Sequence, residues 1–351
     1  MNLNPKPIRI EPAFVDSEQI RAMFMRNAPY RALAAYAPEG VKDETCEEDK
    51  KPLLPWFRGD WALDGKPLVE GAELILHNRK FVEAAKAAFG TPLVAPEFVA
   101  VNINGPSPAG RTHIDTPSFY GATRVDYPLP FLRVMGFSGL FDAWRVVRAS
   151  TLCWFYEGPG GSFDYWPEGL DSPMRTEQPP FGNVALCADT DRVYHRIGAI
   201  GNDGAELPQM SASATIQPDG DGNWNILEDG EVRATYPSRA IRFSVLWKAE
   251  VRNGNSRPDN LTLDRIMAIL TADLRHRGID FHKPSDPLAD IPWILLLQRI
   301  YAPHCDSWRM TGYPEVMPRN KLSTTRARNP LGGSLRLATK ETLPDAARFR
   351  D

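Results

Sequence analysis

The residues best suited to chemistry are a histidine and a carboxylate two positions apart, His113-Ile114-Asp115, with a further histidine at His195. Residues 97–104, shortly before His113, alternate in the manner of a β-strand, and His195 lies in a second β-like stretch. In an extended strand, side chains at i and i+2 project from the same face, so His113 and Asp115 can occupy adjacent positions on one metal ion. His304-Cys305-Asp306 has the same spacing, but it follows a helical pattern and has no histidine after it. We therefore expect a surface or packing role for His304 and a metal site at the earlier motif.

Two histidines and one carboxylate form the facial triad of non-haem Fe(II) oxygenases, which leaves coordination positions open for a co-substrate and O₂. A cation that binds a carboxylate co-substrate would complete such a site. Arg242 and Ser244 share one face of the apolar strand predicted over 240–251, so a guanidinium and a hydroxyl can bind one carboxylate together.

In this order of motifs the chain resembles the Fe(II)/2-oxoglutarate-dependent dioxygenases, whose fold is a double-stranded β-helix, the jelly-roll of the cupins. The resemblance covers about residues 96–252 and includes a glycine-turn hairpin at 160–167. It implies that His113, Asp115 and His195 hold Fe(II), and that Arg242 with Ser244 binds the distal carboxylate of 2-oxoglutarate. It further implies pocket-lining roles, on the strand that leads into His113, for Asn102 and Asn104.

One departure from that family leaves alternatives open. The family places the carboxylate-binding cation about a dozen residues after the second histidine, whereas segment 198–238 separates His195 from Arg242 here. We interpret this segment, with its Asp-Gly hairpin, as an insertion between the last two core strands, which costs little if its ends stay close. Arg196 and Lys248 are the rival anchors.

The distribution of periodic segments predicts a mainly β fold with flanking helices, organised as one domain. Helical patterns occupy an N-terminal region, 1–95, which is expected to pack on the core, and return in C-terminal helices over 253–317. The core itself is the double-stranded β-helix of 96–252, and residues 318–351 form a basic tail or arm. The apolar stripe of 291–301 is expected to pack on the outer sheet of the barrel, with a homodimer interface as the alternative.

Composition narrows the class of protein. The formal net charge of −3 over 351 residues argues against a dedicated nucleic-acid binder, and no apolar run approaches the length of a membrane span. The charged, proline-containing N-terminus does not resemble a signal peptide, so we expect a cytoplasmic protein. Its cysteines lack CxxC spacing and are expected to be reduced thiols: Cys46, Cys153, Cys187 and Cys305.

The resemblance implies an oxidoreductase that uses Fe(II), 2-oxoglutarate and O₂ to hydroxylate, desaturate or cyclise a small molecule, such as an amino acid or a biosynthetic intermediate. A carboxylate ligand at Asp115 distinguishes the chain from the family's halogenating members. One alternative is a cupin-like metalloenzyme that does not use 2-oxoglutarate; another is a non-catalytic β-barrel binding protein. Aromatic residues near the metal motif are candidates for substrate contact: Phe119, Tyr120, Trp154, Tyr165 and Trp166.

Overall fold

The computed structural model describes residues 5–36, 52–124, 126–202, 206–252, 254 and 257–302. His304, Cys46, Cys305 and the 318–351 tail lie outside these residues. The strands are β1 Ile8–Ile10, β2 Tyr30–Ala32, β3 Trp56–Leu63, β4 Lys66–Pro67, β5 Leu93–Asn104, β6 Arg148–Tyr156, β7 Phe163–Trp166, β8 Arg175–Glu177, β9 Phe181–Ala188, β10 Tyr194–Ile197, β11 Thr215–Pro218, β12 Asn223–Glu228, β13 Glu231–Pro237 and β14 Arg242–Arg252. The α-helices are α1 Ser17–Arg26, α2 Ala72–Leu76, α3 Arg79–Phe89, α4 Leu129–Ser138, α5 Leu263–His276 and α6 Ile291–Tyr301.

Two antiparallel sheets form the core. The major sheet has the order β1-β9-β6-β14-β5-β3-β2-β11-β12-β13, and the minor sheet has the order β10-β7-β8. Isolated bridges from Ser107 to Ile200 and from His113 to His195 add the 107–113 segment beside β10. Four adjacent strands of the major sheet, β9-β6-β14-β5, therefore face a four-membered minor layer. Along the chain the core segments pass back and forth between these layers, with β7 and β8 joined as a hairpin in the minor one. This is the topology of a double-stranded β-helix and confirms the predicted fold class.

Strand alternation assigns the two faces of β14 to different surroundings. Phe243, Val245 and Trp247 enter a large hydrophobic core together with side chains of α1, α2 and α3. Arg242 and Ser244 lie on the opposite face, which points between the two sheets. There a second buried group, here called the inner cluster, fills the barrel: Trp154, Tyr156, Phe163, Tyr165, Phe181, Leu186, Val193 and Ile200.

The N-terminal region contributes more than helices. Residues 1–95 contain the predicted helical pieces, but β1, β2 and β3 from the same region also enter the major sheet. The Trp56–Leu63 strand was missed because it contains Arg58, Gly59 and Asp60, which interrupt a simple apolar alternation. The region is thus part of the core sheet as well as its covering layer.

Two other peripheral elements also differ from expectation. The apolar stripe of Ile291–Tyr301 does not pack on the outer sheet; it packs with α4 in a helical cluster that includes Phe131, Trp293 and Leu297. Within 198–238, the predicted Asp-Gly hairpin is present, with Asp229 and Gly230 both at positive φ, as a tight type I′ connection requires. Among the described residues, no helix is long and apolar enough to cross a bilayer.

Candidate active site

His113 and His195 form a direct cross-strand pair in the minor layer. The His113 backbone N–H donates to the His195 carbonyl at 3.0 Å, and the His195 N–H donates to the His113 carbonyl at 2.8 Å. Paired residues share a sheet face, and the two imidazole rings lie with their centroids 4.4 Å apart. The backbone register alone therefore brings together two histidines that are far apart in sequence.

A backbone carbonyl orients each imidazole. His113 Nδ1 lies 2.8 Å from the Arg111 carbonyl oxygen, and His195 Nδ1 lies 2.9 Å from that of Val193. A carbonyl oxygen can only accept, so both Nδ1 atoms carry the proton when the rings are neutral, and both Nε2 atoms keep a lone pair. Metal-ligating histidines commonly have this arrangement.

Asp115 completes a group of three side chains whose ligand atoms all lie within 4.8 Å of one another. Its Oδ1 is 3.8 Å from His195 Nε2. Burial lowers the pKa of His113 to about 4, assisted by the charge of His195. Burial would raise the pKa of Asp115, but Lys248 and the two histidines hold it well below its usual range. A neutral His113 and an ionised Asp115 are in the protonation states that a divalent metal needs, and a set of two imidazoles and one carboxylate fits Fe(II).

Lys248 lies between two carboxylates beside this group. Its Nζ is 2.8 Å from Asp115 Oδ2 and 3.0 Å from Asp191 Oδ1. Burial opposes the charged ammonium, but the two carboxylates outweigh this effect and raise the pKa of Lys248. The positive charge of Lys248 is therefore already balanced by two carboxylates of the protein, which makes it a poor candidate for binding an anionic co-substrate.

Arg242, unlike Lys248, is a buried cation without a carboxylate partner among the described residues. It is 1% exposed, and among the described residues no carboxylate lies within ion-pair distance. Its Nε donates to the Gly161 carbonyl at 2.8 Å, whereas its Nη2 has no hydrogen-bond partner. Burial without a compensating anion lowers the pKa of Arg242 to about 9. A buried guanidinium of this kind is costly unless a ligand supplies the missing anion.

Glycine at position 161 is required by this placement. Gly161 has φ +73°, and a Cβ there would lie 2.7 Å from the Tyr156 ring and 3.2 Å from Arg242 Cδ. The glycine turn predicted from the sequence thus gives the guanidinium both its space and its hydrogen-bond acceptor.

The other predicted co-substrate residues surround the guanidinium. In the register of β5 and β14, Asn104 is opposite Arg242 and Asn102 is opposite Ser244. All four side chains therefore share the face that points between the sheets. Asn104 is 2% exposed, and its Oδ1 also lacks a partner. The structure thus brings together, as one polar patch, the four residues that the resemblance assigns to the co-substrate.

Arg196, the second rival anchor, lies on the outer face of the minor sheet. Its Nε donates to Asp164 Oδ2 at 2.9 Å, and its guanidinium lies over the Trp166 ring at 5.6 Å. Alternation along β10 places His195 on the inner face and Arg196 on the other. The guanidinium is thus already paired and directed away from the inner cluster.

The candidate substrate aromatics separate into two sets. Trp154 and Tyr165 belong to the inner cluster, and Tyr165 is directly opposite His195 in the strand register. Trp166 lies on the outer face with Arg196. Phe119 is fully buried against Phe141 in the helical cluster, and the Tyr120 hydroxyl donates to Glu250 at 3.1 Å. The structure therefore brings only Trp154 and Tyr165 to the space beside the histidines.

Sequence reasoning missed the support for Asp115. The Thr190 hydroxyl donates to Asp115 Oδ2 at 2.6 Å, and the Asp115 N–H donates to the Thr190 carbonyl at 2.8 Å. Thr190 precedes buried Asp191, the partner of Lys248. The polar run Asp189-Thr190-Asp191 just before the strand of His195 was the available signal, since buried polar residues need partners.

Comparisons with known proteins give weak similarities. No protein-family model matches the sequence, and a search of curated proteins gives no match. One similar solved structure is an oxidoreductase of the 2OG-Fe(II) oxygenase family from Burkholderia pseudomallei, at 14% identity, covering 72% of this chain and 88% of that chain, with a TM-score of 0.36. Another is a Pseudomonas putida prolyl-4-hydroxylase, at 10% identity, 71% and 94% coverage and a TM-score of 0.34.

A third similar structure is HygX from Streptomyces hygroscopicus, solved with nickel, 2-oxoglutarate and hygromycin B bound. It is 9% identical, with coverage of 74% of this chain and 90% of that chain, and a TM-score of 0.36. The first description names the 2OG-Fe(II) oxygenase family, and the third names 2-oxoglutarate as a molecule bound to that protein. The residues of this chain itself carry the case for its function.

Proposed function

We propose that the chain is an Fe(II)- and 2-oxoglutarate-dependent oxygenase that oxidises a small molecule. The observation that carries this proposal is Arg242, a fully buried guanidinium with an unpartnered nitrogen and no carboxylate beside it among the described residues. A protein tolerates such a charge when a ligand neutralises it. The distal carboxylate of 2-oxoglutarate is an anion of the right chemistry, and Ser244 and Asn104 supply further polar groups.

The inner cluster connects this cation to the histidines. The Arg242 guanidinium lies 5.9 Å from the centre of the Trp154 ring. Trp154 and Phe163 have ring centroids 5.0 Å apart, and Phe163 lies 5.5 Å from the His195 ring. A continuous row of aromatic contacts thus runs from the guanidinium to the His195 ring, which supports a co-substrate that reaches from one to the other.

The chemistry of each side chain indicates its role in the proposed site. His113 and His195 would hold the metal through Nε2, and Asp115 would hold it through a carboxylate oxygen, while Arg242 binds and orients the far end of the co-substrate. With 2-oxoglutarate and O₂, bound Fe(II) supplies the oxidation of a substrate C–H bond, coupled to decarboxylation to succinate. Trp154 and Phe163 exclude water from the interior, which strengthens the interaction between guanidinium and carboxylate.

The decisive experiment measures succinate. The protein is supplied with Fe(II), 2-oxoglutarate and O₂, with and without a pool of small metabolites that includes amino acids, and succinate is quantified. We expect a basal rate from uncoupled turnover and a higher rate with the substrate, and we expect both to be lost in His195→Ala. Complete absence of succinate with every metabolite would refute the proposal.

The same preparation tests the two alternatives. A cupin-like metalloenzyme that does not use 2-oxoglutarate would bind Fe(II) stoichiometrically, yet show no 2-oxoglutarate-dependent change in stability. A non-catalytic β-barrel would bind neither. Both alternatives leave the unpaired charge of Arg242 unexplained, which is why the oxygenase is preferred.

A further inference from the structure

Lys248 is a buried cation that the proposed reaction does not yet use. It lies on the same face of β14 as Arg242 and Ser244, but its ammonium reaches Asp115 and Asp191 instead of the polar patch. Its side chain is 13% exposed, so the contact is largely shielded from water. A lysine in direct contact with a candidate metal ligand invites the question of what it does to that ligand.

The two oxygens of Asp115 have different surroundings. Oδ2 lies 2.8 Å from Lys248 Nζ and 2.6 Å from Thr190 Oγ1, so two donors already occupy it. Oδ1 faces His195 Nε2 at 3.8 Å. A carboxylate can bind a metal through one oxygen or through both, and donors that saturate one oxygen favour binding through the other.

Lys248 is itself held in place. Asp191, whose side chain is 2% exposed, accepts from the ammonium through Oδ1 at 3.0 Å. The Asp191 N–H donates to Asp189 Oδ1 at 3.2 Å, and Arg145 donates to the Asp191 carbonyl at 3.4 Å. A lysine normally has a flexible stem, but one fixed between buried Asp191 and the partly exposed Asp115 can position its partner.

We infer that Lys248 is a positioning residue, which holds Asp115 Oδ2 by hydrogen bonding and so leaves Oδ1 as the oxygen that binds the metal. This inference rests on the proposed metal site. The competing explanation is that Lys248 merely balances charge, since a buried carboxylate needs a cation nearby. The two explanations differ in whether a neutral donor can replace the lysine.

Two neutral substitutions separate them. Lys248→Met removes both the charge and the donor, whereas Lys248→Gln removes the charge but keeps an amide N–H near Asp115 Oδ2. The probe is Co²⁺ alone, added to purified protein, and the readout is its visible absorption spectrum, which reports coordination number. We expect Lys248→Met to lose band intensity and shift its maxima, because Oδ2 then keeps only the Thr190 donor and can add a ligand atom to the metal. We expect Lys248→Gln to keep the wild-type spectrum.

A matched control removes another cation of the same barrel. Arg148 on β6 pairs with Glu97 and touches no member of the metal group, so Arg148→Met should bind Co²⁺ with the wild-type spectrum. If the wild-type protein itself does not bind Co²⁺, the proposed metal site fails rather than this inference.

If wild type binds Co²⁺ and Lys248→Met gives the same spectrum, the positioning role is overturned. It is equally overturned if the Met and Gln variants change alike, because charge alone would then account for both. Should Lys248→Met fail to fold, Lys248→Leu removes the same charge and the same donor to Oδ2 with a shorter side chain. In Lys248→Leu, an altered Co²⁺ spectrum supports the inference, and a wild-type spectrum overturns it.

Discussion

Replacing Arg242 with methionine should separate stability from ligand binding. Burial lowers the pKa of Arg242 from 12.5 to about 9. At about 1.4 kcal/mol per pKa unit, the charge costs the folded protein about 5 kcal/mol. Since folding lowers the pKa of a base here, this cost is present at every pH below about 9 and disappears only as the pH rises toward 12.5. Arg242→Met removes it at neutral pH.

Methionine also loses favourable contacts. The hydrogen bond to the Gly161 carbonyl is lost, at about 1–3 kcal/mol, and so are the contacts of the guanidinium with the Trp154 and Phe181 rings, at about 1 kcal/mol each. The cost of the buried charge, which methionine removes, and the favourable contacts, which methionine loses, are nearly equal. We therefore expect the free energy of unfolding of the ligand-free protein to change by less than about 2 kcal/mol, whereas removing the cation of a buried ion pair costs about 3–5 kcal/mol.

Binding of 2-oxoglutarate should respond far more strongly than stability. Loss of one partner of a buried, hydrogen-bonded charge pair costs about 2–5 kcal/mol, which is about a 30- to 5,000-fold weaker affinity. At a concentration 100 times its Kd, 2-oxoglutarate stabilises the wild-type protein by about 2.7 kcal/mol. At that same concentration, the stabilisation of Arg242→Met should fall below about 1 kcal/mol.

The assay is chemical denaturation with Ni²⁺ bound, with and without 2-oxoglutarate, in wild type, Arg242→Met and Arg196→Met. Arg196 pairs with Asp164 on the outer face, so its variant should retain the full ligand effect. Two results contradict the assignment: an undiminished 2-oxoglutarate effect in Arg242→Met, or a loss of that effect in Arg196→Met. A fall of 3–5 kcal/mol in the ligand-free stability of Arg242→Met would show that the guanidinium already has an anionic partner within the protein.

Three further predictions concern the metal group and its surroundings. His113→Ala and His195→Ala should each abolish stoichiometric Fe(II) binding in anaerobic titration, whereas exposed His276→Ala should not. Burial and the neighbouring Asp191 raise the pKa of Asp189 to about 7, so the ionised carboxylate lowers the stability of the folded protein above that pH. This loss of stability decreases as the pH falls and vanishes toward pH 4. Asp189→Asn should therefore raise the free energy of unfolding by about 1–4 kcal/mol at pH 8 and leave it unchanged at pH 4. Tyr165→Ala should alter the KM or kcat for the substrate and Trp166→Ala neither, since only Tyr165 faces His195; equal effects in kinetic assays would contradict this assignment.

The parts of the site that could be predicted from the sequence depend on local periodicity. A spacing of two places His113 and Asp115 on one face, and the same rule joins Arg242 to Ser244. Turn signals between short strands indicate only a β-sandwich or barrel, and the double-stranded β-helix was implied by the family resemblance that the order of these motifs carries. Local periodicity does not show which strands pair. The position of Asn104 opposite Arg242 therefore could not be predicted and is seen in the register of β5 and β14.

The choice among the three cations could not be made from sequence. Arg196, Arg242 and Lys248 all lie on or beside core strands, and each could bind an anion. The three cations differ in their ion pairs with carboxylates that are distant in sequence. Asp164 pairs with Arg196, and Asp115 and Asp191 pair with Lys248, whereas Arg242 has no such partner among the described residues. Trp166 illustrates the same difficulty, because a difference of one residue from Tyr165 moves a side chain to the opposite face of the strand.

The long separation between His195 and Arg242 has a structural explanation in the glycine turn. Where the 198–238 segment leaves the core, the Gly198 N–H donates to the Ser162 carbonyl at 3.0 Å. Where the chain re-enters, Arg242 donates to the carbonyl of Gly161, the neighbouring residue. Both ends are thus attached to one turn, and the strands between them extend the far edge of the major sheet. Because loop closure costs little once the ends are fixed, the insertion can be long without moving Arg242 relative to the histidines. The distance along the chain between the second histidine and the cation is therefore a poor guide to the anchor, and the partners of each cation are the better one.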